Sequence, residues 1–320
     1  TAVVAGSLFS LLSACRPVVA MPDDDTAPVL ALMVTMVIAG FPDDTPGEVL
    51  FLSAYGALAA TVVFTGVVLA MLGFFRLGSL VRYLPYSVMG GYFAGAGLLL
   101  IQGAFKVVTD LPLVTAQDFV QLTQEGMFWK WFPALLSALF IRWAINNWYK
   151  SIAMPAAMFM LIAVFFLFNS VVGMSPHDLL EDGLLVGPFP ETKPSVWNPV
   201  LLEQASEIEW GLIWQHLSSM STVTLLSAVS LMLTVSGLSV LQRDNIDINR
   251  ELTVSGFANT VSGLSGGLIA MPSMTLTELS MTVGAPRSRM VGLVVALFCG
   301  LMLFFGMSAI AWFPKAVLAG

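Results

Sequence analysis

The chain has 320 residues, 57% of them hydrophobic and only 10% charged, with a formal net charge of −7. Soluble domains carry about 25% charged residues, and thirteen basic plus twenty acidic side chains cannot coat a globule of this length. A soluble enzyme, a nucleic-acid binder and a secreted disulfide scaffold are therefore excluded. The uncharged stretches are long: 27 residues between Glu48 and Arg76, 23 between Arg82 and Lys106, and 27 between Lys150 and Asp178. A further 33 separate Glu209 from Arg243, 26 separate Glu251 from Glu278, and 25 separate Arg289 from Lys315. A bilayer core needs roughly 20 apolar helical residues per crossing, so the pattern predicts an all-α polytopic membrane protein. The two-residue alternation of an outer-membrane barrel is missing. Cys15 and Cys299 lie in or beside apolar segments and read as small core residues, with no disulfide or metal expected.

In chain order, the pattern predicts a first helix over about 1–15, ended by Arg16 and Pro17, and a second over about 25–41, opened by Pro22-Asp23-Asp24-Asp25-Thr26. A third over about 49–74 leads into a basic turn with Arg76 and Arg82. The fourth, about 85–105, carries Gly90, Gly91, Gly95, Gly97 and Gly103, which predicts close packing against another helix in lipid. Residues 116–126 read as an interfacial segment, followed by helices over about 128–147, where Trp129 and Trp131 suit an interface, and 152–173. Residues 174–209 form a polar loop with seven acids and the single base Lys193; His177 there and His216 beyond it read as incidental. An interfacial start at 210–217 precedes a spanning helix from about 221 to 241. Helices over about 251–266, 273–283 and 288–312 complete the pass. The chain opens inside one apolar stretch and closes as another begins, which reads as a piece of a longer protein.

The segments at 25–41 and 273–283 are shorter or more polar than their neighbours, and each follows the tripeptide Ala-Met-Pro, at Ala20-Met21-Pro22 and Ala270-Met271-Pro272. Paired interrupted helices in two halves point to a transporter built from inverted repeats. Thr26, Ala27 and Pro28 open one half-helix and Ser273, Met274 and Thr275 the other. Helix N-termini present free amides and a positive dipole end, so two of them facing each other at mid-membrane form an anion site. Asp25 and Glu278 are candidates for a coupling-ion or proton site, intramembrane carboxylates being functional candidates by default. With the 75–85 turn in the cytoplasm and alternating crossings, nine basic residues fall inside and four outside, and the acidic loop lies outside.

Arg82-Tyr83-Leu84-Pro85-Tyr86-Ser87-Val88-Met89-Gly90-Gly91-Tyr92 resembles the entry into the fifth helix of the SulP anion transporters. Asp247-Ile248-Asn249-Arg250-Glu251-Leu252, with Gly256, Asn259, Gly263 and Gly266-Gly267, resembles that family too, as does Gly284-Ala285-Pro286-Arg287-Ser288-Arg289. The resemblance implies a 7+7 inverted-repeat fold, seen here in part, with two half-helices meeting near mid-membrane. It implies that residues 1–84 are core (transport) helices two to four, with the first helix missing, and 85–209 the gate helices five to seven with the long external loop. Residues 210–320 become core helices eight to eleven and the start of twelve, with the closing helices and the family's regulatory domain outside these residues. This chain departs from many family members where Ser273-Met274-Thr275-Leu276-Thr277 replaces a run with a basic residue at position 276, and where residues 221–241 hold no carboxylate, so that the resemblance leaves Thr234 and Ser239 on that stretch as candidates for the coupling-ion or proton site.

Gly263-Leu264-Ser265-Gly266 matches the nucleophile motif of rhomboid-type proteases, but that chemistry needs a histidine base and both histidines come earlier, outside helix interiors. A glycine-rich helix end accounts for it. The function expected is secondary active transport, by alternating access, of a small inorganic anion such as sulfate or bicarbonate. Carriage of a cation or amino acid on the same fold, and an anion channel, stay open. The protein is expected to be no enzyme, to bind no organic cofactor, metal or nucleic acid, to use H⁺ or Na⁺ as a coupling ion if any, and to sit in the cell membrane as a homodimer.

Overall fold

The computed structural model describes residues 1–23, 26–42, 45–79, 86–109, 111, 120, 122, 127–148, 150–187, 208–282, 288–305 and 310–320. Thirteen helices and two short strands lie among them. In order these are α1 (Val4–Leu12), β1 (Ala20–Pro22), α2 (Ala27–Ala39), α3 (Gly47–Phe74), α4 (Tyr86–Thr109), α5 (Met127–Asn147), α6 (Lys150–Val172), α7 (Pro176–Glu181), α8 (Trp210–Gln215), α9 (Leu217–Gln242), α10 (Ile248–Leu264), β2 (Ala270–Pro272), α11 (Met274–Thr282), α12 (Met290–Phe305) and α13 (Lys315–Ala319). Asp24, Asp25 and most of 116–126 and of the acidic loop lie outside the described residues.

Two differences from the sequence expectation are local. The Ala-Met-Pro tripeptides are strands, so among the described residues the helices are joined by one two-stranded ribbon and one isolated bridge between Leu185 and Pro314. The expected polar loop holds α7, whose first turn is closed by a capping box: the Asp178 amide donates to Ser175 Oγ at 3.3 Å and the Ser175 amide to Asp178 Oδ2 at 2.7 Å.

The chain divides into two compact units. The first comprises Thr1–Gly90 and Pro194–Leu301. Its centre is α3 packed along α10. A Cβ built on Gly66 would fall 2.5 Å from the Thr260 amide nitrogen, and one on Gly73 would fall 2.6 Å from the Asn249 carbonyl oxygen. Gly256 meets the Ala70 backbone in the same way, so the two helices approach to backbone contact. On the other flank α9 meets α3, where Thr65 and Thr224 share a hydroxyl–hydroxyl hydrogen bond of 2.9 Å. Cys15, Val62, Leu69, Val223, Leu231, Val235 and Leu252 fill the core between these helices.

The glycines of α4 behave otherwise. Among the described residues, no atom lies within 4 Å of a Cβ built at Gly91, Gly95, Gly97 or Gly103. The close helix packing expected there is found instead on α3 and α10.

The second unit comprises Gly91–Lys193 and Met302–Gly320. In it α5 packs on α6 and α13, and the segment after α7 pairs with the approach to α13: Val186 N–H donates to the Phe313 carbonyl and Lys315 N–H to that of Leu184. Phe128, Trp131 and Phe132 form an aromatic group at the start of α5.

Side-chain polarity follows a lipid solvent. On α9 the hydroxyls of Thr224, Ser227 and Ser230 are buried, while Leu225 is 66% and Val240 80% exposed. Outward leucine and inward serine reverse the soluble pattern and suit a helix among acyl chains. Gly47–Phe74, Ile152–Val172 and Leu217–Gln242 are long and apolar enough to cross a membrane. By contrast, α2 has 13 residues and α11 nine. At 1.5 Å per residue these reach only about 20 and 14 Å, well short of a crossing.

Candidate functional site

The two half-helices start from one ribbon. β1 and β2 pair antiparallel with Ala20 opposite Pro272, Met21 opposite Met271 and Pro22 opposite Ala270. Flanking bonds continue the ladder: Asp23 N–H donates to the Ile269 carbonyl and Ser273 N–H to that of Val19, both at 2.8 Å. Antiparallel ladders bond at alternate pairs. The bonding pairs are therefore the odd-numbered ones, and both prolines fall on non-bonding pairs, where a missing N–H costs nothing. The proline that stops a helix in each half is thus compatible with the strand that replaces it.

The antiparallel register sends α2 off one end of the ribbon and α11 off the other. Strands of three residues span only about 7 Å, so the register brings the two helix N-termini to a common centre. At the second, Ser273 Oγ accepts from the Leu276 amide at 3.2 Å and caps α11. At the first, Thr26 precedes α2 without capping it; its hydroxyl donates to Asp23 Oδ2 at 2.7 Å, with both side chains buried. Pro28 stands in the first turn of α2, where a helix needs no N–H.

The other expected site residues divide into groups. Ala27, Met274, Thr275 and Glu278 are exposed, and Pro28, Ser273 and Leu276 are half-buried. Thr277 is buried and its Oγ1 accepts from the Val19 amide at 3.3 Å, which ties α11 across to β1. Gly237 of α9 lies against Met274, so α9 reaches the start of α11, and Thr234 stands half-buried one turn earlier. Ser239 is engaged elsewhere: its Oγ accepts from the Ile246 amide at 3.4 Å in the turn from α9 to α10. Asp25 lies outside the described residues.

The electrostatics of the site follow from the sequence and burial together. No lysine or arginine occurs between Arg16 and Arg76 or between Arg250 and Arg287. Both half-helices therefore lack a cation on their own segments, and the buried Asp23 adds a carboxylate beside one of them. What favours an anion at the ribbon is the dipole at the N-terminal ends of α2 and α11. Ser265, the serine of the protease-like motif, donates to the carbonyl of Val261 in its own helix at 2.7 Å, and Gly266 follows at φ +76° to end α10.

Two buried polar residues of α10, Asn259 and Glu251, hold non-helical backbone near the half-helices, a role that nothing in their spacing along the sequence signals. Asn259 of α10 bonds both backbone groups of Ala270: the Ala270 amide donates to Oδ1 at 2.7 Å, and Nδ2 donates to the Ala270 carbonyl at 3.0 Å. Glu251, 1% exposed, accepts from Ser13 Oγ at 2.9 Å and the Ala14 amide at 2.7 Å.

Comparison with known proteins gives concordant results. The vacuolar basic amino acid transporter VSB1 of Saccharomyces cerevisiae is 24% identical over 298 residues, covering 90% of this chain and 28% of its own length. The bicarbonate transporter BicA of Picosynechococcus is 25% identical over 339 residues, covering 100% of this chain and 54% of its own. The chain thus spans between about a quarter and about half the length of these relatives. The solved transmembrane domain of a cyanobacterial BicA superposes with a TM-score of 0.72 at 18% identity, covering 99% of this chain and 77% of that one, and so shares its fold. The description of the Sulfate permease family matches residues 1–320. With its broken helices, its ribbon and its lipid-facing exterior, the chain is an integral membrane protein that belongs to the sulfate permease family, a family of transporters and not of enzymes.

Proposed function

We propose that this chain is the membrane part of a secondary active transporter that carries a small inorganic anion of the sulfate or bicarbonate class by alternating access. The observation that carries the proposal is the ribbon of the two Ala-Met-Pro strands, which starts both half-helices from one centre. Amides in the first turns of α2 and α11 would bind the anion, with Thr26, Ala27, Pro28, Ser273, Met274 and Thr275 as the surrounding residues. Residues 1–84 and 210–320 would form the transport part, which holds the ribbon, and residues 85–209 the gate. H⁺ or Na⁺ would accompany the anion, with Asp25, Thr234, Ser239 and Glu278 as candidates, and the protein would work as a homodimer in the cell membrane.

A second reading has an observation of its own. Position 276 is leucine, Asp23 is buried at the first half-helix, and the yeast relative is named as a basic amino acid transporter. A buried carboxyl group at a site whose two half-helix segments hold no lysine or arginine suits a cationic solute. Uptake of labelled sulfate, bicarbonate, lysine and arginine into proteoliposomes, with and without a proton or Na⁺ gradient, separates the two. Saturable sulfate or bicarbonate uptake supports the first reading. Lysine or arginine uptake with neither anion carried replaces it by the second, and currents far above carrier turnover indicate a channel.

A further inference from the structure

The ribbon carries a feature that neither its helix ends nor its charge explains. Along one stripe of α10 run Glu251, Ser255, Asn259 and Ser262, spaced by four, four and three residues and each at most 1% exposed. Such spacing places them on one helix face. Three of them, Glu251, Asn259 and Ser262, hydrogen-bond non-helical segments, while Ser255 Oγ is buried with no partner among the described residues. Glu251 holds residues 13 and 14, in the passage from α1 to β1. Asn259 holds Ala270 in β2. Ser262 Oγ donates to the Leu268 carbonyl at 3.0 Å, and its own carbonyl accepts from the Gly267 amide at 2.7 Å. Next to Glu251, Arg250 donates from Nη2 to the Leu12 carbonyl, the end of α1, at 3.2 Å.

Gly256 and Gly263 of the same helix lie against α3, at Ala70 and at Val63. So α10 is seated on the longest helix of the unit through glycine and reaches the two unwound passages through polar side chains. The geometry of Asn259 is that of a strand edge. Ala270 stands at a non-bonding pair of the ladder, so its N–H and C=O point away from β1. A primary amide supplies one acceptor and one donor in the spacing a neighbouring strand would offer. Without it, both backbone groups would be buried and unpaired.

We propose that Asn259 and Glu251 are positioning residues that set where the half-helix N-termini stand, and thereby set substrate affinity. This rests on the reading of those N-termini as the binding site. Backbone donors bind an anion only within normal hydrogen-bond distance, so a small displacement of either strand removes contacts. Because β2 is paired with β1 and Thr277 ties α11 to Val19, release of Ala270 loosens both strands.

The test uses the full chain in proteoliposomes, with hydrogen exchange and uptake of sulfate, bicarbonate and lysine measured on the same samples. In Asn259→Ala, amides of 268–273 and 19–23 are expected to exchange faster, while those of α3 and α9 keep their rates. KM for the carried solute is expected to rise about tenfold, the scale of one or two lost hydrogen bonds, with Vmax little changed. Asn259→Asp keeps the acceptor for the Ala270 amide and loses the donor, so it falls between wild type and Asn259→Ala in both readouts. Glu251→Gln keeps a carbonyl oxygen for the Ala14 amide and restores KM relative to Glu251→Leu. Faster exchange across α3 and α9 as well, unfolding of the isosteric Asn259→Asp, or a fall in Vmax with KM unchanged would each make these residues general core supports and overturn the proposal. If wild type carries none of the three solutes, the functional reading fails with it, while the exchange pattern still decides whether Asn259 holds the ribbon.

Discussion

Thr26 and Thr275 begin the two half-helices but have different surroundings, and their valine variants should differ accordingly. The Thr26 hydroxyl donates to the buried Asp23 carboxylate. Thr26→Val removes that hydrogen bond to a buried carboxyl group, a loss of about 1–3 kcal/mol, to be read as a lower unfolding temperature in detergent. Thr275 is exposed, so Thr275→Val should leave the unfolding temperature alone and weaken substrate affinity by up to about tenfold, the worth of one hydrogen bond; uptake kinetics check this. Leu276, half-buried one residue further on, is where a cation would add to the helix-end field. A divalent anion gains about twice as much as a monovalent one from the same charge. Leu276→Arg should therefore raise sulfate affinity more than bicarbonate affinity and weaken dependence on a co-ion. Equal KM values for wild type and variant, for both anions, would make Asp23 and the absent cation irrelevant to selectivity.

At the scale of elements, glycine has opposite consequences on two helices that look alike in sequence. A Cβ at Gly256 would collide with the Ala70 backbone, and neither helix backbone can yield. Gly256→Ala should lower stability by about 1–3 kcal/mol through overpacking. Gly97 of α4 has no atom within 4 Å of such a Cβ, so Gly97→Ala should be neutral or gain roughly 0.5–1 kcal/mol from helix propensity. Thermal unfolding of the two variants in one detergent compares them directly. The spacing of small residues alone suggested α4 as the packing helix, because spacing shows which face is small but not which partner meets it. Elsewhere local chemistry was sufficient or nearly so. The ends of α3 and α6 follow the uncharged runs, and α7 had a readable signal in Ser175 and Asp178, three residues apart around Pro176.

For the whole molecule, orientation is carried by the basic residues, nine of thirteen on one side when the crossings alternate. Cysteines introduced at Ser79 and at Ser195 should label from opposite sides of intact cells, with position 195 external; Ser195 itself lies outside the described residues. Labelling of both from one side would reject the alternation and the inverted repeat that rests on it. The exposed apolar surface agrees with a lipid surrounding, since Phe74, Phe159 and Val171 are each more than 70% exposed and would otherwise favour aggregation.

The class of protein, the long apolar helices and the two interrupted helices were legible in the residues themselves, because each depends on local properties: hydropathy over about 20 residues, proline's missing N–H, and the scarcity of charge. The Ala-Met-Pro pair was visible as a repeat, yet not as a ribbon, since a three-residue run has no strand period to read. Pairing of Met21 with Met271, donation by Asn259 to Ala270 and the hold of Glu251 on Ser13 were decided by tertiary structure. Those contacts join backbone groups left without helical partners, and which buried side chain satisfies an orphaned N–H or C=O is settled only when distant segments are brought together.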